Sequence, residues 1–221
     1  MMINWELELR KRRMHNIKDV KSLLTQNDKS LLEKIYKDAN RYDLDFDFIK
    51  DKIINEDIFA LIRYAKDPNK QNIHEDILLE YFHNQLYNVT IHKLPKTGKN
   101  AKFINKFGNI LDLSNREYNE ITNKSIDFEF IKDDIIFYCT FKYTNEKGGA
   151  QDNQRNDVMI FIENANKNQD DKVKFLVILD GNYYIDQINK IKECINSEKT
   201  FVLNSSQIYD FFEFKTYQKV K

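Results

Sequence analysis

The sequence predicts a mixed α/β protein whose sheet has both antiparallel and parallel strands, preceded by a helical N-terminal region. Alternating apolar and polar residues between 124 and 144 are typical of a β-hairpin. A short apolar strand at 174–181 follows a predicted helix, which indicates a crossover to a parallel strand. We therefore divide the chain into a helical region, 1–67, and an α/β core, 68–221.

Composition limits the partners and the compartment that we expect. The 35 basic and 35 acidic residues cancel, so nucleic-acid binding would depend on local patches. No apolar run approaches the roughly 18–20 residues of a membrane span, and the N-terminus lacks an apolar signal region. The two cysteines are far apart in sequence, as expected for free thiols in a reducing compartment. These features predict a cytoplasmic protein with no membrane partner.

The first 67 residues are predicted to be helical, because apolar residues recur at helical spacing and neither proline nor glycine interrupts them. A basic cluster, Arg10–Arg13, fits a solvated helix face or a contact with a phosphate backbone.

A further helix, from about residue 69 to 85, carries Glu75 within its apolar stripe. A carboxylate there is costly unless it is paired, hydrogen-bonded or bound to metal. Glu75 is therefore a candidate site residue, and a glutamate that reaches solvent or pairs with a lysine is the alternative. In the loop that follows, Lys96 and Lys99 would contact DNA phosphates, or would simply be solvated.

The predicted hairpin places a carboxylate beside a lysine. A register in which Lys132 pairs with Ile135 puts Asp127 opposite Thr140, with Lys142 one step along the same face. We expect this face to be polar and the other face to form core. Asp127, a second oxygen ligand and a backbone carbonyl can hold Mg²⁺. Lys142 would stabilise a phosphate oxygen or orient an attacking water.

After the hairpin, a helix is predicted from about residue 150 to 166, following a loop with two glycines. Such a loop at a helix N-terminus suits an anion, and a capped polar loop is the alternative. Four side chains at the start of this helix could bind phosphates or base edges through amide or guanidinium groups: Gln151, Asn153, Gln154 and Arg155. The remaining predicted elements are a strand at 174–181, a helix at 185–195, a strand at 200–203 and a helix at 205–214.

The hairpin resembles the PD-(D/E)XK nucleases, whose signature is an Asp on one strand and (D/E)-x-Lys on the next. The matching positions are Asp127 and Thr140-Phe141-Lys142. Two positions differ from the signature. Ile126 replaces the proline, and Thr140 replaces the second acid. Glu129 is the other residue that could supply this acid. The order of the predicted elements is similar to the family's αβββαβ core, which implies a restriction-endonuclease-like fold.

The resemblance implies a Mg²⁺-dependent type II restriction endonuclease. Segments 66–75 and 148–154 are similar to segments of such enzymes, which implies Glu75 as a second metal ligand and Gln151 and Gln154 as polar site residues. Asp127 and the Phe141 carbonyl would complete the metal site, with Thr140 bound directly or through water.

The same resemblance implies that Lys142 polarises the nucleophile and that the product carries a 5′-phosphate. It also implies a homodimer acting on double-stranded DNA, with a cognate DNA methyltransferase as a possible partner.

Three alternatives remain open. A repair or recombination nuclease would use the same fold and recognise DNA structure. A DNA-binding protein that has lost the chemistry would explain Thr140 in place of an acid. In an unrelated α/β protein, Asp127 and Lys142 would form a cross-strand ion pair.

Overall fold

A computed structural model of the chain describes residues 3–67, 73–112, 124–145, 149–215 and 217, without the side chains of 149–151. The chain forms two compact units, one of Asn4–His74 and one that joins Met1–Ile3 to Glu75–Lys221. The boundary predicted from the sequence, between residues 67 and 68, lies earlier in the chain and adjoins residues outside the described ranges. Within those ranges, no helix combines the length and apolar character needed to cross a membrane.

The first unit is helical, as predicted. Each of its helices begins at a side-chain cap, because Asn4, Asp28, Asp45 and Asp57 accept hydrogen bonds from backbone N–H groups of the first turn. The helices are α1 (Trp5–Thr25), α2 (Lys29–Tyr42), α3 (Phe46–Ile54) and α4 (Ile58–Tyr64). Their core contains Val20, Leu24, Leu31, Ile35, Ala39, Ile49, Ile53 and Tyr64.

The second unit is built on a mixed sheet, which confirms the predicted class. Its elements begin with α5 (Ile73–Gln85), β1 (Thr90–Lys93), β2 (Lys102–Ile104), β3 (Ile110–Asp112), β4 (Lys124–Ser125), β5 (Phe128–Lys132) and β6 (Ile135–Tyr143). They continue with α6 (Gly149–Ala165), β7 (Val173–Asp180), α7 (Asn182–Ile185), α8 (Ile188–Lys192), β8 (Thr200–Leu203), a 3-10 helix (Ser205–Gln207) and α9 (Ile208–Glu213).

Strand order in the larger sheet is β1-β5-β6-β7-β8, and a smaller sheet has the order β3-β2-β4. In the larger sheet, β1, β5 and β6 are antiparallel neighbours, whereas β6, β7 and β8 run parallel. The parallel step from β6 to β7 passes through α6, as the sequence predicts for a crossover connection.

The β5–β6 hairpin has the predicted register. Lys132 lies opposite Ile135. Asp133 and Asp134 between them have φ of 51° and 62°, the conformation of a type I′ turn, whose twist matches that of the flanking strands. This register brings the start of β5 beside Thr140 in β6.

The first strand of the hairpin is interrupted, so the continuous strand predicted from residue 124 is wrong. Strand β4 pairs with β2 in the smaller sheet, whereas β5 pairs with β6 in the larger one. The Ile126 N–H donates to the Lys102 carbonyl (3.0 Å), and the Asp127 N–H donates to the Cys139 carbonyl (2.8 Å). The chain changes sheets between these two residues because their N–H groups find acceptors on different strands.

Both faces of the larger sheet are buried, which corrects the expectation of one polar face. On one face, Phe130 contacts Phe82 of α5 and Phe212 of α9, with ring centroids 5.6 and 5.5 Å apart. On the other face, Phe161 of α6 packs on Phe175 at 6.0 Å. The polar residues of the hairpin therefore lie in the interior, where each needs a partner.

The helix predicted at 185–195 is shorter in the structure, where α8 covers Ile188–Lys192 and Ile185 is the last residue of a separate short helix, α7. Ile185 is 70% exposed, whereas Tyr184 and Ile191 are buried. The apparent apolar stripe therefore included a residue that does not face the core.

Gly181, which follows β7, permits a close approach to the end of β6. Its φ is +94°, and a Cβ there would lie 2.2 Å from the Thr144 carbonyl oxygen. The Thr144 N–H also donates to the Asp180 carbonyl (3.0 Å), and the Tyr183 N–H donates to the Thr144 carbonyl (3.2 Å). These contacts tie the ends of β6 and β7 together just before α6 begins.

We expect Gly181→Ala to lower the melting temperature of the chain more than Gly98→Ala. Both glycines have positive φ, but a Cβ at Gly98 would meet nothing within 4 Å. Backbone strain of this kind costs about 1–3 kcal/mol, and the clash with Thr144 adds to it at Gly181 alone. Thermal unfolding followed by circular dichroism measures the difference, and equal losses in the two variants would contradict the close approach.

Candidate active site

Asp127 lies where the chain passes from the smaller to the larger sheet, and its backbone is fixed on both sides. Its N–H donates to the Cys139 carbonyl, and its own carbonyl accepts from the Leu94 N–H at 2.9 Å. The side chain is 1% exposed. Because both backbone groups are held, the direction of the carboxylate is determined by the sheet.

Strand β6 supplies two hydrogen-bond donors and one cation to this carboxylate, all on the side of Asp127 Oδ2. The Thr140 hydroxyl donates at 3.2 Å and the Phe141 N–H at 2.8 Å. The Lys142 ammonium lies at 4.0 Å. The structure therefore brings Asp127, Thr140, Phe141 and Lys142 together. The described contact of Phe141 is made by its N–H, so the role of its carbonyl as a metal ligand stays a prediction.

The charge of Asp127 is not fully compensated. Burial raises the pKa of its carboxyl above the usual range, and the nearby Glu75 charge raises it further. The Lys142 charge and the Phe141 hydrogen bond oppose this effect without cancelling it. The ionised carboxylate is therefore disfavoured in this fold, and an added cation would stabilise it.

Glu75 of α5 is buried and holds two ammonium groups. Its Oε1 lies 2.9 Å from Lys96 Nζ, and its Oε2 lies 3.3 Å from Lys93 Nζ. Lys93 also contacts the Asp76 carboxylate. Glu75 is thus paired with lysines, which was the alternative that the sequence left open for it. Lys96 forms an ion pair with Glu75, so it is not simply a solvated lysine.

The sequence indicated Lys93 only as one lysine of a basic stretch, and its pairing with Glu75 was not predicted, although its position offered a signal. It is the last residue of β1, which pairs with β5, and a lysine at that end of the strand is close to the hairpin residues. The charges of Glu75 and Lys96 both act on Asp127, so these residues form one electrostatic cluster. We call the set Glu75, Lys93, Lys96, Asp127 and Lys142 the charge cluster.

Glu129, the alternative second acid, contacts Lys102. Lys102 also reaches the Tyr138 hydroxyl at 3.4 Å. The described contacts of Glu129 therefore stabilise the sheet around Tyr138 and do not involve Asp127.

Helix α6 is joined to the end of β6 by a side-chain hydrogen bond. The Thr144 hydroxyl donates to Gln154 Oε1 at 2.8 Å, which gives Gln154 a structural contact. Arg155 is partly buried, and its Nε is buried without a hydrogen-bond acceptor among the described residues. Asn153 is exposed, as is Lys99 in the loop after β1, and the side chain of Gln151 lies outside the described residues.

The two carboxylates of the charge cluster are the groups to consider for Mg²⁺. Asp127 and Glu75 present carboxylate oxygens, and Mg²⁺ in phosphoryl-transfer sites is commonly held by one or two carboxylates with waters and substrate phosphates. Over the part of the chain that the structure describes, no group of three or more His, Cys, Asp or Glu side chains is placed to hold a metal. Two carboxylates with a backbone carbonyl are thus the arrangement to test.

No protein-family model matches the chain, and neither a curated protein nor a solved structure is significantly similar to it.

We expect Asp127→Asn to stabilise the protein at pH 7–8 in the presence of a chelator. Because folding raises the pKa of this carboxyl, the ionised form opposes folding above the unfolded pKa, and the effect disappears when acid protonates both states. An asparagine oxygen can still accept from Thr140 and Phe141. The gain should appear as a higher melting temperature than that of the wild type at pH 7–8, and it should vanish in acid.

Lys142→Met is the control for that measurement. It removes a cation from beside a buried carboxylate, so we expect it to destabilise the protein, in contrast to Asp127→Asn. Melting curves between pH 4 and pH 8 give both values. A loss of stability in Asp127→Asn at pH 7–8 would contradict the undercompensated charge of Asp127.

Proposed function

We propose that this chain is a Mg²⁺-dependent nuclease of the PD-(D/E)XK type that hydrolyses phosphodiester bonds of double-stranded DNA, as a type II restriction endonuclease does. The observation that carries the proposal is the meeting of Thr140, the Phe141 N–H and Lys142 on the buried carboxylate of Asp127, with the Glu75 charge acting on it. A cross-strand ion pair alone would not require a buried, undercompensated carboxylate.

The order of elements supports the same proposal. From α5 onward the larger sheet and its helices run α5, β1, β5, β6, α6, β7, with the smaller sheet inserted between β1 and β5. This is compatible with the αβββαβ core that the resemblance implies. Because β5 and β6 are antiparallel neighbours, the start of β5 lies next to the end of β6. The residues that match the signature, Asp127 and Thr140-Phe141-Lys142, are at these two ends.

In this proposal Asp127, Glu75 and the Phe141 carbonyl hold the cation. A bound Mg²⁺ supplies Lewis acidity to a phosphate oxygen and lowers the pKa of its water. Lys142, whose side chain is 24% exposed, is accessible to orient the attacking water or to neutralise charge on the phosphate in the transition state. The Thr140 hydroxyl positions Asp127 by its hydrogen bond to Oδ2.

Lys99, Asn153 and Arg155 are the side chains proposed to contact DNA, because Lys99 and Asn153 are exposed and Arg155 is partly buried. Their contacts would be mainly to phosphates, which position the duplex. A homodimer acting on a palindrome and a cognate methyltransferase belong to the same proposal.

A second candidate is a DNA-binding protein of the same fold without catalytic activity. One observation favours it. Thr140 replaces an acid and uses its hydroxyl to donate to Asp127, so the site has one formal negative charge fewer for a metal than the signature provides. A repair nuclease that recognises DNA structure would use the same active site as a restriction endonuclease.

We expect the purified protein to cut unmethylated phage or plasmid DNA with Mg²⁺ into discrete bands. Lys142→Ala should slow cleavage by about 10²–10³-fold, the usual effect of removing one group that stabilises transition-state charge, and EDTA should abolish it. Lys190→Ala, at an exposed position on α8, is the control for loss of one positive charge.

Gel electrophoresis of the products separates the candidates. A smear that is lost with EDTA and with Lys142→Ala would indicate a structure-directed nuclease. DNA binding without cleavage would favour the inactive protein, and the absence of both would contradict the nucleic-acid proposal.

A further inference from the structure

We propose that Lys96 is an exchangeable counter-ion of the metal site, which leaves Glu75 when a divalent cation binds and then contacts a DNA phosphate. This inference rests on the proposed function and adds a coupling between metal binding and DNA binding. Its starting observation is that both oxygens of Glu75 already lie beside ammonium groups, those of Lys96 and Lys93.

Of the three lysines in the charge cluster, Lys96 is the most exposed and is the one that lies outside a strand. Its side chain is 49% exposed, against 26% for Lys93 and 24% for Lys142. Lys93 belongs to β1 and also contacts Asp76, whereas Lys96 lies in the loop that follows the strand. A long, half-exposed side chain on a loop can change rotamer at little cost.

A cation held by Glu75 and Asp127 would compete with the Lys96 ammonium for Glu75 Oε1, which lies 2.9 Å from Lys96 Nζ, because two positive charges within about 4 Å repel strongly at a partly buried site. The released ammonium remains on the loop beside the site, where the scissile phosphate must lie, and phosphate is the ligand that a free lysine binds. The cation and the DNA thus favour each other's binding, as linkage requires.

Lys96→Met is expected to bind Mn²⁺ about fivefold to tenfold more tightly than the wild type in the absence of DNA, since its competitor for Glu75 is gone. Titration of Mn²⁺ followed by electron paramagnetic resonance measures this affinity without any cleavage. Lys99→Met loses the same charge from the same exposed loop and should leave the Mn²⁺ affinity unchanged.

DNA binding gives a second readout. With a fluorescent duplex, the Lys96→Met variant should lose about threefold or more in affinity when Ca²⁺ is present and little when EDTA is present, because Lys96 is occupied by Glu75 without metal. Lys99→Met should lose the same factor under both conditions. Lys96→Gln, with folding checked by circular dichroism, repeats the test with a polar side chain.

Unchanged Mn²⁺ affinity in both Lys96 variants would overturn the inference while leaving the proposed nuclease intact, if the wild type still cuts DNA with Mn²⁺. Failure of the wild type to bind Mn²⁺ at millimolar concentration would overturn both. A loss of DNA affinity in Lys96→Met that is equal with Ca²⁺ and with EDTA would show that Lys96 is not exchanged.

Discussion

The burial of a single carboxylate, that of Asp127, is the constraint on which the arrangement of the second unit depends. A buried carboxylate needs hydrogen bonds and positive charge close to it. The Asp127 backbone is held by Leu94 and Cys139, and its side chain receives the donors of the next strand. The hairpin register, the change of sheet after Ile126 and the position of Lys142 together place this one group in the interior beside its partners.

The charge cluster compensates its two buried carboxylates unequally. Glu75 is neutralised by lysines on and after β1, whereas Asp127 has one nearby lysine on β6 and keeps a raised pKa. Sites that retain an unfavourable charge are frequently functional, because a ligand is what relieves it. For the proposed nuclease that ligand is a divalent cation. In the proposed exchange, Lys96 neutralises Glu75 until the cation binds.

The sequence was sufficient for the features that depend on local pattern. Strict alternation and a turn of two aspartates determined the register of β5 with β6, so the approach of Lys142 to Asp127 could be predicted. The parallel pairing of β7 with β6 followed from a helix between two apolar strands. The place of Glu75 in an apolar stripe left two alternatives, a buried site residue or a glutamate paired with a lysine, and in the structure Glu75 is both buried and paired.

Features that depend on long-range contacts could not be predicted in the same way. The break between β4 and β5 arises because Ile126 finds its acceptor on β2, and no local pattern marks that partner. Lys96 was expected at DNA phosphates because its loop is basic, yet the packing of α5 brings Glu75 to it. The alternation of the strand placed Glu129 on the same face as Asp127 and made it a candidate second acid. In the structure, Glu129 forms an ion pair with Lys102 of the smaller sheet.

The most direct test of the metal site is anomalous diffraction from crystals of the protein soaked in Mn²⁺, which locates the cation independently of any activity. We expect a peak about 2.1 Å from oxygens of both Asp127 and Glu75, with the Lys96 ammonium moved away from Glu75. A peak elsewhere, or none, with Lys96 still bound to Glu75, would contradict the claim that these two carboxylates form a metal site.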